Sequence, residues 1–181
     1  MKKQQRFVIL LLSIFLFSSC DDKTETVDDR WKIENETQFN TIANNTEYTK
    51  LNSVTGNGFI MYKVLETGTG DRAPFFNEQV KVRYTGWYKN IWTKPDTFTD
   101  DKGNFITNKI EFNTTYRNRV ETFNVMNRIE GFRTALQYMK EGDKWEIWIP
   151  WKLGYDAMGN GPIRGYSTLV FEIELVEILN K

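Results

Sequence analysis

Regular alternation between apolar and polar residues marks several short segments of this chain. In residues 80–84, apolar side chains alternate with Lys81 and Arg83. The same period of two recurs in residues 145–149 and again in residues 169–175. This period is typical of a strand with one buried face and one solvated face. We therefore predict half-buried strands in these three segments.

Between two of the predicted strands, apolar residues recur at a spacing close to that of an α-helix. Gly142 is a suitable residue to end this helix. Several strands and one short helix predict an α+β fold. In this fold an antiparallel twisted β-sheet of about five strands, including residues 59–65 and 123–125, wraps around one short α-helix. The apolar residues at helical spacing are Ile129, Phe132, Ala135, Leu136 and Met139.

The N-terminus has the composition of a secretory signal. Three basic residues precede an apolar run over residues 7–17, which is shorter than the roughly 20 residues needed to span a bilayer. Cys20, the one cysteine of the chain, follows the sequence LFSS, which resembles a bacterial lipobox. The resemblance implies that residues 1–19 are a lipoprotein signal peptide and that Cys20 carries the lipid. Plain secretion with an incidental cysteine is the alternative.

Polar residues dominate from residue 20 to residue 57, and we interpret residues 20–57 as a tether. Apolar residues at helical spacing within it predict a short helix over about residues 30–43, capped by Asp28 or Asp29. This helix either docks on the domain or spaces the domain from a membrane. The domain itself is expected to occupy residues 58–181.

The composition removes several classes of function. Lysine plus arginine and aspartate plus glutamate each number 24, so no charge excess points to nucleic acid. The chain has no histidine, which removes His-dependent catalytic triads and His metal sites. A single cysteine cannot build an internal disulfide framework or a Cys-cluster metal site. We expect no metal ion and no cofactor.

Aromatic residues make up 15% of the chain, and several of them surround the predicted helix with few charges among them. This setting favours a binding cavity over an acid–base active site. Turn clusters and further aromatic residues interrupt the strand pattern between residues 87 and 111. We interpret residues 87–111 as a hairpin-like insertion before Phe112.

Five short motifs follow one another between residues 82 and 175. They are VRYTG at 82–86, FNTTY at 112–116, IEGF at 129–132, LGYD at 153–156 and STLVFEIEL at 167–175. No single motif is specific, but in this order they resemble the FKBP-type peptidyl-prolyl cis-trans isomerases. The resemblance covers residues 58–181, which we identify as an FKBP-type isomerase domain.

The resemblance implies an apolar pocket that holds a proline-containing peptide. Tyr155 is expected to donate its hydroxyl to the carbonyl of the proline-containing bond, and Ile129 to offer its backbone N–H to a substrate carbonyl. Ile163 is expected in the loop over the pocket. Phe132 is expected to form the floor, where the family more often has tryptophan. The pocket walls implied in this way are Tyr84, Phe112, Phe123, Tyr155 and Phe171.

Two departures from the family affect the expected chemistry. Asn113 stands where the family usually has an aspartate, so we expect an uncharged hydrogen-bond partner for the Tyr84 hydroxyl at the catalytic site. The insertion places Tyr84 and Phe112 28 residues apart, a longer spacing than is usual for the family. It either reshapes the pocket mouth or forms a separate contact surface.

The implied function is peptidyl-prolyl isomerisation by a membrane-tethered enzyme that assists the folding of envelope or secreted proteins. A non-catalytic peptide-binding or chaperone-like module is the alternative, favoured by Asn113 and by the insertion. The expected partners are proline-containing polypeptide clients and, through the lipid on Cys20, a membrane. We expect no nucleic acid, a monomer, and a location in the bacterial cell envelope, at the outer membrane, on either its periplasmic or its surface face.

Overall fold

The computed structural model describes residues 26–115 and 119–179, in which nine strands and two α-helices form. The helices are α1 (Val27–Ala43) and α2 (Glu130–Leu136). The strands are β1 (Thr49–Asn52), β2 (Phe59–Glu66), β3 (Gln79–Lys89), β4 (Thr97–Thr99), β5 (Phe105–Thr107), β6 (Lys109–Thr114), β7 (Glu121–Asn124), β8 (Lys144–Ile149) and β9 (Leu169–Ile178). Short 3-10 turns follow β7 at Val125–Asn127 and β8 at Trp151–Leu153.

Seven of the strands form one antiparallel sheet in the order β1-β2-β8-β9-β3-β6, with β7 as a further partner of β3. The long strand β3 has two partners along one edge, since its first half pairs with β7 and its second half with β6. Its other edge pairs with β9 over most of its length. Side chains from β6, β7 and β9 therefore meet around β3, where the candidate site is built.

The α2 helix packs on one face of this sheet. Ala135 and Leu136 have no exposed surface and lie in the main core with Ile147 of β8 and Ile173 of β9. Burying an aliphatic side chain of this size contributes roughly 1.5–3 kcal/mol, which is the physical cause of the alternation seen in β8 and β9. The predicted α+β class is confirmed, although the sheet has seven strands instead of about five.

The α2 helix is shorter than the apolar period suggested. It ends at Leu136, with Gln137 as its C-cap, and does not continue toward Gly142. Met139 is nevertheless fully buried in the turn that follows. Gly142 has a φ of 88° and belongs to the connection into β8, so it does not end the helix.

The opposite face of the sheet is covered by α1. Phe39 and Ile42 of this helix pack with Met61, Trp148 and Val170 in a second apolar cluster. Trp148 and Val170 are cross-strand partners on the face that points away from α2. The sheet is thus covered on both faces, whereas the sequence predicted a sheet wrapped around one helix only.

A capping box begins α1. The Thr26 hydroxyl accepts a hydrogen bond from the Asp29 N–H at 3.1 Å, and the Asp29 carboxylate accepts one from the Thr26 N–H at 3.1 Å. Asp29 therefore takes part in the cap as the third helical residue. The cap itself is Thr26 rather than Asp28 or Asp29, because the Thr26 hydroxyl is the group that reaches the free N–H of the first turn.

Part of the expected tether is folded onto the domain. Thr49–Asn52 forms β1, which pairs with β2 at the edge of the sheet. Its residues are exposed except for the half-buried Leu51, so this strand shows no alternation in the sequence. Together with α1, it places much of residues 20–57 against the sheet.

The insertion before Phe112 is shorter than expected, because residues 87–89 continue β3. The rest contains the β4–β5 hairpin. The fully buried Asn108 holds its loop in place by donating hydrogen bonds to three backbone carbonyls. The insertion docks on α1, where the Trp92 indole N–H donates a hydrogen bond of 3.1 Å to the Asn35 side chain.

The predicted signal peptide, residues 1–19, and Cys20 lie outside the described residues. Within the described ranges, no helix is both long enough and apolar enough to cross a bilayer. The lipid anchor stays a prediction from the sequence.

Candidate active site

A cavity of about 270 Å³ opens beside α2, where β3, β6, β7 and β9 present aromatic side chains. Eight of the nine pocket residues expected from the sequence line it. They are Tyr84, Phe112, Asn113, Phe123, Ile129, Phe132, Tyr155 and Phe171. The remaining lining residues are Asn127, Arg128 and Asn160.

The floor of this cavity is the Phe132 ring, which α2 places at the centre of an aromatic cluster. Its ring centroid lies 5.7 Å from that of Tyr84, 5.8 Å from that of Phe123 and 5.1 Å from that of Phe171. All three pairs meet edge to face, an arrangement favoured by the ring quadrupoles. Phe132 is buried, so phenylalanine supplies the apolar floor in place of a larger tryptophan.

Gly86 of β3 allows two wall residues to approach each other. The Phe112 and Phe171 rings meet edge to face at 5.4 Å directly beside this glycine. A Cβ atom on residue 86 would lie 2.8 Å from the Phe112 ring and closer still to the Phe171 ring. The absence of a side chain at this position therefore decides the shape of the wall.

The Tyr84 hydroxyl donates a hydrogen bond of 3.0 Å to the Glu121 carboxylate. The strand register explains this contact, because Glu121 pairs with Val82 and so lies diagonally across from Tyr84 on the same face. Burial raises the pKa of Tyr84 well above its ordinary value, and the hydrogen bond to Glu121 raises this pKa further. Tyr84 is consequently a neutral, oriented wall residue.

Asn113 does not take the role expected from the sequence. It lines the cavity, but it is exposed and the Tyr84 hydroxyl bonds to Glu121 instead. A carboxylate is a stronger acceptor for a phenol than a neutral amide is. Sequence reasoning missed Glu121, although it is the one acidic residue between Asn113 and Arg128 and precedes Phe123 by two positions in a strand.

Two hydrogen-bond donors of the cavity have no acceptor among the described residues. One is the backbone N–H of Ile129, the residue that caps α2 without a side-chain hydrogen bond. The other is the hydroxyl of Tyr155, which lies in the loop after the second 3-10 turn. These are the two donors that the family resemblance assigned to substrate carbonyls, and both border the same apolar space.

Ile163 lies outside the cavity lining, contrary to expectation. A tight turn joins it to Asn160, with backbone hydrogen bonds of 2.8 and 3.0 Å in both directions. This turn directs Ile163 into the main core, where it is buried, and leaves Asn160 at the cavity. A tight turn of this kind cannot be read from the apolar character of residue 163.

The loop that carries Tyr155 and Asn160 is held from behind by two aromatic residues. The Tyr88 hydroxyl donates a hydrogen bond of 3.2 Å to the Pro162 carbonyl. The Trp31 indole N–H of α1 donates one of 2.9 Å to the Gly165 carbonyl. The Trp31 and Tyr88 rings also meet edge to face at 6.2 Å. The N-terminal helix therefore supports the cavity although it does not line it.

Asn35 connects α1 to both the insertion and the strand that follows the loop. It is fully buried, and its side-chain oxygen accepts hydrogen bonds from the Trp92 indole at 3.1 Å and from the Thr168 N–H at 2.8 Å. Its side-chain nitrogen donates to the Trp31 carbonyl at 2.8 Å. The sequence predicted a helix here but did not indicate these partners of Asn35.

The cavity lining contains few charged groups. Of the lining residues, Arg128 alone carries a formal charge. No group of three or more potential metal-binding carboxylate or thiol side chains occurs among the described residues. A larger polar cavity of about 520 Å³ lies elsewhere, around residues 69–72 and 141–142, and contains none of the expected site residues. The aromatic cavity is therefore the candidate site.

Comparison with known proteins shows the family to which this chain is similar. The family model described as FKBP-type peptidyl-prolyl cis-trans isomerase matches residues 70–176. The macrophage infectivity potentiator of Trypanosoma cruzi is 32% identical over 120 residues, which are 66% of this chain and 53% of that protein. The outer membrane protein MIP of Legionella longbeachae is 30% identical over 120 residues, which are 66% of this chain and 44% of that protein. The chain thus spans about half the length of these curated relatives.

A solved structure shares the architecture over nearly its whole length. The crystal structure of a peptidyl-prolyl cis-trans isomerase from Pseudomonas syringae pv. tomato aligns with a TM-score of 0.63 and 27% sequence identity. The alignment covers 86% of this chain and 98% of that one. This structural alignment covers more of the chain than the family model, which matches residues 70–176.

Proposed function

This chain belongs to the FKBP-type peptidyl-prolyl cis-trans isomerases, and we propose that it catalyses the cis–trans isomerisation of X–Pro bonds in polypeptide clients. The observation that carries the proposal is the convergence of the aromatic walls and two unpartnered donors on one cavity of about 270 Å³. Binding a peptide there needs neither a metal ion nor an ionised catalytic side chain.

The aromatic walls of the cavity can lower the barrier without a charged catalytic group. Rotation about an X–Pro bond breaks amide resonance and has a barrier of about 18–20 kcal/mol. The planar amide is charge-separated and well solvated by water, whereas the twisted amide is less so. Transfer into an aromatic cavity therefore costs the planar ground state more than the twisted transition state. This difference in binding accelerates the rotation.

The two free donors can hold the substrate while the bond turns. The Tyr155 hydroxyl would bind the carbonyl of the rotating bond, and the Ile129 N–H would bind a neighbouring carbonyl of the peptide. Both groups are fixed by the fold before the substrate arrives, so little reorganisation is needed. Phe132 below them would receive the proline ring.

Glu121 acts in this scheme as a positioning residue for Tyr84. It does not line the cavity, but its hydrogen bond fixes the orientation of a wall residue. The carboxylate that the family usually supplies at the position of Asn113 is thus supplied from β7. This substitution of partners favours retained catalysis over the non-catalytic alternative.

A protease-free isomerisation assay on proline-containing peptides tests the proposal. The wild-type chain should accelerate the exchange, and the double variant Tyr155→Phe, Phe132→Ala should lose most of that acceleration. A folded wild-type protein that gives no rate above buffer would leave the chaperone-like module as the function. Equal activity in the double variant would show that another surface carries the catalysis.

We further propose that the protein is tethered to a membrane of the bacterial cell envelope by lipid on Cys20. Buried acyl chains contribute about 0.8 kcal/mol per methylene. Thr26 is the N-cap of α1, so residues 21–25 would lie between the lipid and this helix, a short connection that would keep the domain close to the membrane. A relative named as an outer membrane protein is consistent with this location.

Membrane fractionation of the full chain tests the tether. The wild type should sediment with membranes, and Cys20→Ala should release a folded protein into the soluble fraction. Continued membrane association of Cys20→Ala would rule out anchoring through this residue. Analytical ultracentrifugation of the released protein tests the accompanying proposal that the domain is a monomer.

A further inference from the structure

Arg128 holds a distinctive place at the cavity. Among the described residues that line it, Arg128 is the one charged side chain, and it directly precedes Ile129, whose N–H faces no acceptor. The other polar lining side chains are the neutral amides of Asn113, Asn127 and Asn160 and the hydroxyls of two tyrosines. Arg128 is therefore the one lining side chain that can pair directly with a charged group of a ligand, whereas the Glu121 carboxylate lies behind the Tyr84 wall.

The position of this guanidinium is fixed by packing. Its central carbon lies 4.4 Å from the centroid of the Phe123 ring, within the range of a cation–π contact. The Arg128 backbone carbonyl also accepts a hydrogen bond of 3.4 Å from the Arg133 side chain. A guanidinium held on an aromatic wall loses little further freedom when a ligand binds to it.

The charge of Arg128 has no carboxylate partner within the described residues. Its Nε–H is buried and lacks a hydrogen-bond acceptor. The nearby acids have other partners, since Glu121 accepts from Tyr84, and Glu130 accepts from Asn57 at 3.2 Å and faces Arg133 at 3.9 Å. Because the Nε–H is covered by the protein, a ligand would reach the guanidinium through its terminal Nη–H groups.

A carboxylate is the ligand that best fits this arrangement. The planar guanidinium binds carboxylates through two parallel hydrogen bonds, which are stronger than bonds between neutral groups. The one charge in the lining itself is positive, and the nearby Glu121 carboxylate is engaged by the Tyr84 hydroxyl, so an anionic group placed beside Arg128 is favoured over a cationic one.

We infer that this isomerase prefers polypeptide segments with an acidic residue beside the proline, and that Arg128 is the residue that selects them. The inference rests on the proposed function of the cavity and specifies its substrate class. Arg128 adjoins Ile129, which would hold a substrate carbonyl, so a carboxylate on the residue before or after the proline lies within reach. Segments with lysine or arginine at that place are the poorest substrates.

Matched peptides and variants test this preference. Two pairs of proline tetrapeptides differ only in Glu or Gln, one pair at the residue before the proline and one at the residue after. For the wild type at low ionic strength, kcat/KM should be about fivefold higher for the Glu peptide in at least one pair. Arg128→Gln should remove the difference, and Arg128→Lys should retain part of it.

Lys81→Gln is the matched control for charge. It removes one positive charge from a surface ion pair with Glu177, outside the cavity, and should leave the ratio of Glu to Gln peptides unchanged. The preference of the wild type should also shrink as salt is raised to about 0.5 M, because exposed charges are then screened. This salt test holds even if a variant at residue 128 does not fold.

The outcomes separate the two proposals. If neither the Gln peptides nor the Glu peptides are isomerised above the buffer rate, the proposed function itself fails. If the Gln peptides are isomerised but the Glu peptides are no better in either pair, only the acidic preference is overturned. A preference that survives Arg128→Gln in a folded protein would assign the selection to another residue.

Discussion

The hydroxyl of Tyr84 donates its hydrogen bond to Glu121, a residue on the neighbouring strand β7, at 3.0 Å. Asn113, which replaces the usual acid of the family, lies exposed at the cavity and does not receive this bond. A carboxylate therefore still lies beside Tyr84, but it comes from β7, whereas the family's usual acid would lie on β6. The replacement of that acid by Asn113 is the sequence feature that argued most against catalysis. In the structure, the Glu121 carboxylate takes the place of the missing acid beside Tyr84.

Replacing Glu121 by alanine should therefore reduce activity more than replacing Asn113 by alanine. The loss of one hydrogen bond that orients Tyr84 should lower kcat/KM roughly threefold to tenfold. Asn113→Ala should stay within about twofold of the wild type, since Asn113 does not hold Tyr84. Steady-state isomerisation rates of the two folded variants check this order. A larger loss in Asn113→Ala would return the tyrosine-orienting role to that residue.

Gly86→Ala should damage both the stability and the cavity. The added methyl group would collide with the Phe112 and Phe171 rings, and overpacking of this kind costs typically about 1–3 kcal/mol. Urea denaturation measures the free energy of unfolding, and peptide titration measures binding in the same variant. Gly103→Ala is a useful comparison, because residue 103 has open space around it and a φ of 83°, so it reports backbone strain alone. Wild-type binding by Gly86→Ala would contradict the wall geometry.

Asn35→Leu should destabilise the protein by leaving two hydrogen-bond donors outside the cavity lining without an acceptor. The leucine would leave the buried Thr168 N–H and the half-buried Trp92 indole without an acceptor, at a cost of roughly 1–3 kcal/mol for the buried group. Asn40→Leu makes the same chemical change on the exposed side of α1 and should have little effect. Thermal unfolding of the two variants provides the comparison. Equal melting temperatures would mean that α1 does not brace the domain through Asn35.

The ion pair between Arg72 and Glu78 should make stability depend on pH. Two hydrogen bonds of 2.7 Å from Arg72, together with one from the Phe75 N–H, hold the pKa of Glu78 below its ordinary value of 4.5. The unfolded chain therefore binds the proton more readily than the folded protein does. This contribution to stability is present above about pH 4.5 and is lost as pH falls through the lowered pKa.

Urea midpoints measured from neutral to acidic pH check this dependence. Glu78→Gln should have a lower free energy of unfolding near neutral pH and a flatter decline below pH 4.5 than the wild type. Glu34→Gln, on the exposed side of α1, serves as the control and should follow the wild-type curve. Parallel acid profiles for wild type and Glu78→Gln would remove Glu78 from the account.

The sequence predicted the parts of the fold that bury one face of a regular element. The alternation in β3, β8 and β9 and the apolar stripe of α1 all correspond to side chains that the structure buries. The edge strand β1 went undetected because only Leu51 among its residues is half-buried, so main-chain pairing forms it without an apolar pattern.

The site was predictable where it depends on residue type and less so where it depends on register. The aromatic walls could be placed by resemblance, and they meet in one cavity. The partner of Tyr84 depends on how β7 aligns with β3, which places Glu121 next to it. Whether Asn160 or Ile163 reaches the cavity depends on a tight turn between them. The first relationship is not local in the sequence, and the second depends on a turn conformation that the residue types do not reveal.

Exchange NMR on one proline tetrapeptide tests the central claim most directly, because it reports cis–trans interconversion at equilibrium without a coupled protease. Wild-type protein at catalytic concentration should bring the interconversion, which takes tens to hundreds of seconds unaided, into the observable range. Tyr155→Phe, which removes one of the two free donors and keeps the ring, should be about tenfold slower. A folded wild-type protein that leaves the exchange at its unaided rate would contradict the account.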